Sequence, residues 1–101
     1  MKAQELLKAA KAIQPEIQAN RRELHKHPEL GLDMVFTKSF VWSKLEEMGY
    51  EPQDCGEGGI VAIVGGKNPG KCFLLRADMD ALPIEEQANV DFRSEHPGKM
   101  H

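Results

Sequence analysis

Two apolar runs joined by a turn constrain this chain more than any other feature in it. "GGIVAIVGG" (58–66) and "KCFLLRAD" (71–78) are both strand-like, and "KNPG" between them carries the Asn, Pro and Gly of a tight turn. Together they predict an antiparallel hairpin. The second run, Cys72 to Leu75, leads straight into Arg76, Asp78 and Asp80, so a strand built for a core ends on two carboxylates. Residues two apart on a strand project to the same side, with Cα atoms roughly 7 Å apart at a rise of ~3.3 Å per residue. Like charges that close must meet a cation, a proton or water.

Upstream of the hairpin the periodicity is helical. Leu6, Ala10, Ile13, Ile17 and Leu24 form one apolar stripe among Lys, Glu and Arg, which predicts an amphipathic helix. Pro15 lacks a backbone donor, so the helix either kinks there or a second helix begins with Pro15 in its first turn. Pro28 closes it, because the residue before a proline is pushed out of the helical region. A further helix is expected from a cap at Asp33 through Met34, Phe40, Val41, Leu45 and Met48 to a stop at Gly49. After Pro83 the pattern dissolves, with one extended possibility from Val90 to Phe92. Helix, helix and hairpin in that order give an α/β layer architecture with at least one helix packed on the sheet.

At 101 residues the chain is one domain at most, and too short for most complete hydrolases. Thirteen basic against 16 acidic residues leave a net charge of -3, which favours neither nucleic acid nor a membrane surface as partner. The start, "MKAQELLKAAKAIQ", has charges where a signal peptide has its apolar core, and no segment approaches the ~20 apolar residues that span a bilayer. A cytoplasmic protein is the expectation. Cys55 and Cys72 are too few for a disulfide framework and match no zinc spacing; they are expected as reduced thiols, one in a loop and one in a strand.

The histidines give little by themselves. "HKH" (25–27) looks like a chelate, but residues two apart on a helix differ by ~200° in direction and point away from each other. Helix-end histidines making local hydrogen bonds are the simpler reading. His96 falls in a polar loop and is expected in solvent. His101 is the final residue of the sequence.

Asp78 and Asp80 allow three readings. They are a solvated strand end, or they hold a metal or orient its ligands, or they are the Asp-x-Asp of a haloacid dehalogenase-type phosphatase. Carboxylates bind divalent cations and also take the second N–H of a ligating imidazole, and α/β proteins place such sites at the carboxyl ends of strands. The phosphatase pattern fits only in part. Leu82 stands where Thr or Val is expected, and only 21 residues follow Asp80.

Four pieces taken together are more specific than any one of them. "RRELHKHPELG" (21–31), "LEEMGY" (45–50), "LLRADMDALP" (74–83) and "SEHPGKMH" (94–101) resemble, in order and spacing, the N-terminal part of the hippurate hydrolase-like amidohydrolases. These enzymes form part of the aminoacylase and carboxypeptidase family of metallopeptidases. The resemblance covers the chain from about Arg21 onward.

What the resemblance implies is an αβα-sandwich zinc-peptidase catalytic domain, of which residues 1–101 are an incomplete N-terminal part with no second domain. A two-metal site of Zn, Mn or Ni in the parent hydrolyses N-acyl amino acids, peptides or related amides. The cations polarise the carbonyl and lower the pKa of a water while a glutamate moves the proton. In such enzymes a segment like "GKMH" runs on into a Cys and a His ligand, so no metal ligand is expected within residues 1–101 and this chain alone is expected to be inactive. Asp80 occupies the place of the aspartate that orients a ligating histidine in a His-x-Asp motif, and Asp78 stands where related branches have that histidine. Asp80 and Asp78 are therefore the candidate site residues, with Arg76 placed to neutralise the pair. A cut domain should also expose an apolar edge and associate into homo-oligomers. The alternative is a small α/β binding or self-assembly module without catalysis.

Overall fold

A computed structural model describes residues 2–101. Helix α1 runs over Ala3–Lys26, α2 over Val35–Glu47, and strands β1 (Gln53–Cys55) and β2 (Gly59–Val61) pair antiparallel. Two helices followed by a two-stranded hairpin are the α/β architecture read from the sequence.

Pro15 lies inside α1, which continues through it as one helix of 24 residues, about 36 Å at 1.5 Å per residue. The first turn is closed by Glu5, whose Oε2 accepts the Lys2 N–H at 3.1 Å. Its apolar stripe has no layer against it: Leu6, Leu7, Ile13 and Ile17 are all more than half exposed. Only the last turn is packed. There Arg22 lies 4.4 Å from the Phe92 ring centroid, His25 is buried, and His27 ends the helix immediately before the buried Pro28.

Helix α2 begins at Val35 after Met34, and Asp33 is not its cap. Glu29, five residues before Met34, caps it instead, accepting the Phe36 N–H at Oε2 (3.1 Å) and the Thr37 N–H at Oε1 (2.6 Å). A helix leaves its first amides unpartnered, and a carboxylate facing them also meets the positive end of the helix dipole. The other end stops as expected. Gly49, at φ 89°, takes the left-handed conformation, with Gly49 N–H bonded to the Glu46 carbonyl and Tyr50 N–H to the Leu45 carbonyl, the Schellman arrangement.

The hairpin forms one step earlier in the chain than expected. Cys55 pairs with Gly59, Asp54 with Ile60 and Gln53 with Val61 around the loop Gly56 to Gly58, so only the start of the 58–66 run is a strand and Cys55 lies in β1 rather than a loop. Helix α2 packs on β2, and Lys38 reaches Asp54 at 2.5 Å. Residues 71–78 form no strand: Phe73, Leu74 and Leu75 are 82, 85 and 95% exposed. A run apolar on both faces is the sequence of a central strand and pairs where both faces are covered, whereas the 53–61 hairpin closes over three residues.

Beyond Pro83 there is no regular element, yet the segment is tied down. Glu95 N–H bonds to the Lys26 carbonyl (2.8 Å), and Leu82 and Met100 form an isolated antiparallel bridge, which replaces the extended piece expected at Val90 to Phe92. Among the described residues no helix is long and apolar enough to cross a membrane.

Candidate functional site

Four parts of the chain converge where α1 ends: the loop after His27, the start of α2, the segment Asp80 to Leu82, and Met100 with His101. Glu29 is at the centre, its carboxylate on the α2 amides and its carbonyl accepting the Ala81 N–H at 2.7 Å. Ala81 is buried, and the next residue exchanges two hydrogen bonds with Met100, Leu82 N–H to Met100 O at 2.9 Å and the reverse at 3.0 Å. In that antiparallel register His101 stands opposite Ala81, next door to Asp80.

Charge at this junction is coupled. The His101 imidazole sits below its ordinary pKa: burial and the neighbouring His25 lower it, while the carboxylates of Asp80 and Glu29 pull the other way. Glu29 is also depressed. Burial raises its pKa, but the Thr37 amide and hydroxyl, the Phe36 amide and the charge of His96 together lower it further. The Thr37 hydroxyl acts through proximity, because its buried Oγ1 has no partner at hydrogen-bonding geometry.

The two candidate aspartates have separate surroundings. Asp78 is turned to solvent and accepts from Arg76 Nη2 at 2.6 Å, the pairing expected for that arginine. Both side chains are mostly exposed, so the pair contributes little, about 0–1 kcal/mol. Asp80 is exposed as well and its carboxylate has no hydrogen-bond or ion-pair partner among the described residues; it differs in standing one residue before the buried Ala81, where its charge acts on His101.

The "HKH" histidines diverge. His25 Nε2 meets the buried Glu86 carboxylate at 2.7 Å, 61 residues away, and its ring meets Phe92 edge-on. His27 bonds locally, Nδ1 donating to the Glu23 carbonyl at 3.0 Å, with Nε2 3.0 Å from Glu95 and its ring stacked on Phe36 at 4.0 Å. His96 is exposed, as expected, and shares with His27, Glu29, Asp33, Phe36 and Lys99 the wall of an open concavity of 640 Å³. Neither Asp78 nor Asp80 lines it. Cys55 and Cys72 are free, exposed thiols. Among the described residues no three His, Cys, Asp or Glu side chains converge as a metal site.

Glu29 and Glu86 are the residues that sequence reading missed. A cap placed six residues before the helix and a glutamate buried in patternless chain carry no local signature; the one clue was that Glu29 sits inside the "HPELG" piece.

The described residues build an α/β layer of two helices and one antiparallel hairpin. The chain is 40% identical over 90 residues, 88% of its length, to a hippurate hydrolase of Campylobacter jejuni, and 36% identical over its whole length to an N-acyl-L-amino acid amidohydrolase of Geobacillus stearothermophilus. Its fold superposes on the crystal structure of a Bacillus subtilis dinuclear metal-binding peptidase of the M20 family with a TM-score of 0.82, at 40% identity over 90% of this chain. It spans about a quarter of each: 24, 28 and 26% of their lengths. No family model matches the chain. By sequence and by fold, it is similar to the N-terminal portion of the hippurate hydrolase-like amidohydrolases.

Proposed function

We propose that these residues are the N-terminal part of the catalytic domain of a metal-dependent amidohydrolase acting on N-acyl amino acids or related amides. The observation that carries this is the joint match, 40% identity with a TM-score of 0.82, to a peptidase described as dinuclear and metal-binding. Two divalent cations, Zn, Mn or Ni, would polarise the amide carbonyl and activate water in the whole enzyme. The donors in residues 2–101 do not assemble such a site by themselves. The part assigned to this segment is therefore orientation: Asp80, held at the junction, positions a ligand supplied by another part of the enzyme, and Asp78 with Arg76 belongs to its surroundings. Residues 1–101 in isolation are inactive on this reading. A cytoplasmic setting goes with it, as do the two free thiols.

A second property follows from a separate observation. Phe73, Leu74 and Leu75 lie almost bare, as does Ile63 at 83% exposure, and exposed apolar surface of this kind drives association. The isolated segment therefore forms homo-oligomers. The enzymatic reading is tested by assaying hippurate and N-acetyl amino acids with the product of the complete reading frame that contains these residues, with each metal and with chelator. No hydrolysis under any metal would remove it.

A further inference from the structure

Glu29 is bonded to distant parts of the chain through three different atoms. Its two carboxylate oxygens take the Phe36 and Thr37 amides, and its backbone carbonyl takes the Ala81 amide. An ordinary helix cap is a short polar side chain beside the helix and serves the helix alone. This one reaches across the loop from Glu29 to the first turn of α2, and its own backbone carbonyl serves a different segment. The Ala81 bond matters because of what precedes it. Between Val61 and Ala81, among the described residues, the only side-chain bond is the local Arg76–Asp78 pair, and no hydrogen bond reaches another segment. Glu29 is thus the first anchor the chain meets after β2, and it grips the peptide next to Asp80. The Leu82–Met100 bridge holds the other side.

We propose that Glu29 is a positioning residue for Asp80: by clamping the α2 amides, its carboxylate fixes the Glu29 carbonyl that holds the Ala81 peptide, and so the backbone from which the exposed Asp80 side chain projects. The significance of this for catalysis rests on the amidohydrolase reading; the placement itself does not. The sharp variant is Glu29→Gln, which keeps the shape but offers one accepting oxygen and turns an NH₂ donor toward the other amide.

Amide hydrogen exchange by NMR on the product of the complete reading frame, read residue by residue, tests the placement. The control is the unsubstituted chain in enough urea to match the variant's loss of global stability. Exchange at Phe36 and at Ala81 is expected to rise about tenfold or more over that control, while the amides from Val41 to Leu45 follow it. Acceleration at Phe36 with Ala81 unchanged would reduce Glu29 to a helix cap and overturn the proposal. So would a uniform acceleration, or an Ala81 amide already unprotected before substitution. In the active enzyme, Glu29→Gln should lower kcat toward the value of Asp80→Asn, and the double variant should lose little more; fully multiplicative losses would contradict positioning. If no enzyme activity exists, the functional reading fails while the exchange result still decides the placement.

Discussion

At the scale of single residues, the two aspartates that end the apolar run part company. Asp78 is neutralised in solvent by Arg76, whereas Asp80 sits beside Ala81 and His101 where four parts of the chain meet. Asp80→Asn in the active enzyme is expected to lower kcat by about 10- to 100-fold, the usual effect of losing a carboxylate that orients a ligand, with little change in thermal stability. Asp78→Asn should stay within a few-fold, and equal losses from the two would show that steady-state kinetics do not see the difference in placement. Glu29 supplies a pH prediction. Its folded pKa lies below the ordinary carboxylate value of 4.5, so it binds protons less readily folded than unfolded. The stability it contributes is therefore complete above pH 4.5 and is lost as pH falls through the lower, folded value. Urea titrations between pH 6 and 3 should show a smaller decline for Glu29→Gln than for the unsubstituted chain; parallel declines would exclude Glu29 as a source. The pairing of Arg76 with Asp78 was legible because near neighbours on an extended chain must meet. The company of Asp80 was not, since it is set by the Leu82–Met100 and Glu29–Ala81 contacts, 18 and 52 residues apart.

At the scale of elements, the stop of α2 depends on Gly49, and α1 is tied to the rest of the chain through its last turn. At φ 89° with open space around its Cβ position, Gly49→Ala should cost about 1–2 kcal/mol through backbone strain alone, measured by chemical denaturation; a neutral result would mean that the turn relaxes. The buried His25–Glu86 pair links α1 to the patternless segment, and Glu86→Ala leaves the imidazole without its partner, an expected loss of about 1–3 kcal/mol. Both helices were legible to within a few residues because apolar period, Pro28 and Gly49 agree on their limits. Pro15 was not decisive, as a helix this long absorbs one missing donor. A hairpin was read correctly in kind, but with the wrong strands: 53–55 pairs with 59–61, in place of 58–66 with 71–78. Residues 71–78 carry the side chains of a central strand but find neither neighbour nor layer, and a strand is a property of its partners more than of its own sequence.

At the scale of the whole molecule, the chain is more open than its length warrants. Its radius of gyration is 16.0 Å, against ~13 Å for a compact domain of this size. Its accessible surface is 8350 Å², where the scaling for folded monomers gives about 5,700 Å². Only Met34 and Ala81 are buried hydrophobic residues among those described. This is the physical counterpart of spanning a quarter of its relatives, and purified residues 1–101 should sediment as dimers or larger species at high concentration. A sharp monomer there would mean that the exposed runs fold back on the chain itself. The central claim, that this segment serves a metal-dependent amidohydrolase, is tested most directly by hydrolysis of hippurate and N-acetyl amino acids. The product of the complete reading frame and the isolated 101-residue chain are assayed side by side, with and without chelator. The account predicts turnover by the former that chelator abolishes and metal restores, and none by the latter. Turnover by the 101-residue chain alone, or chelator-resistant turnover by the whole, would contradict it.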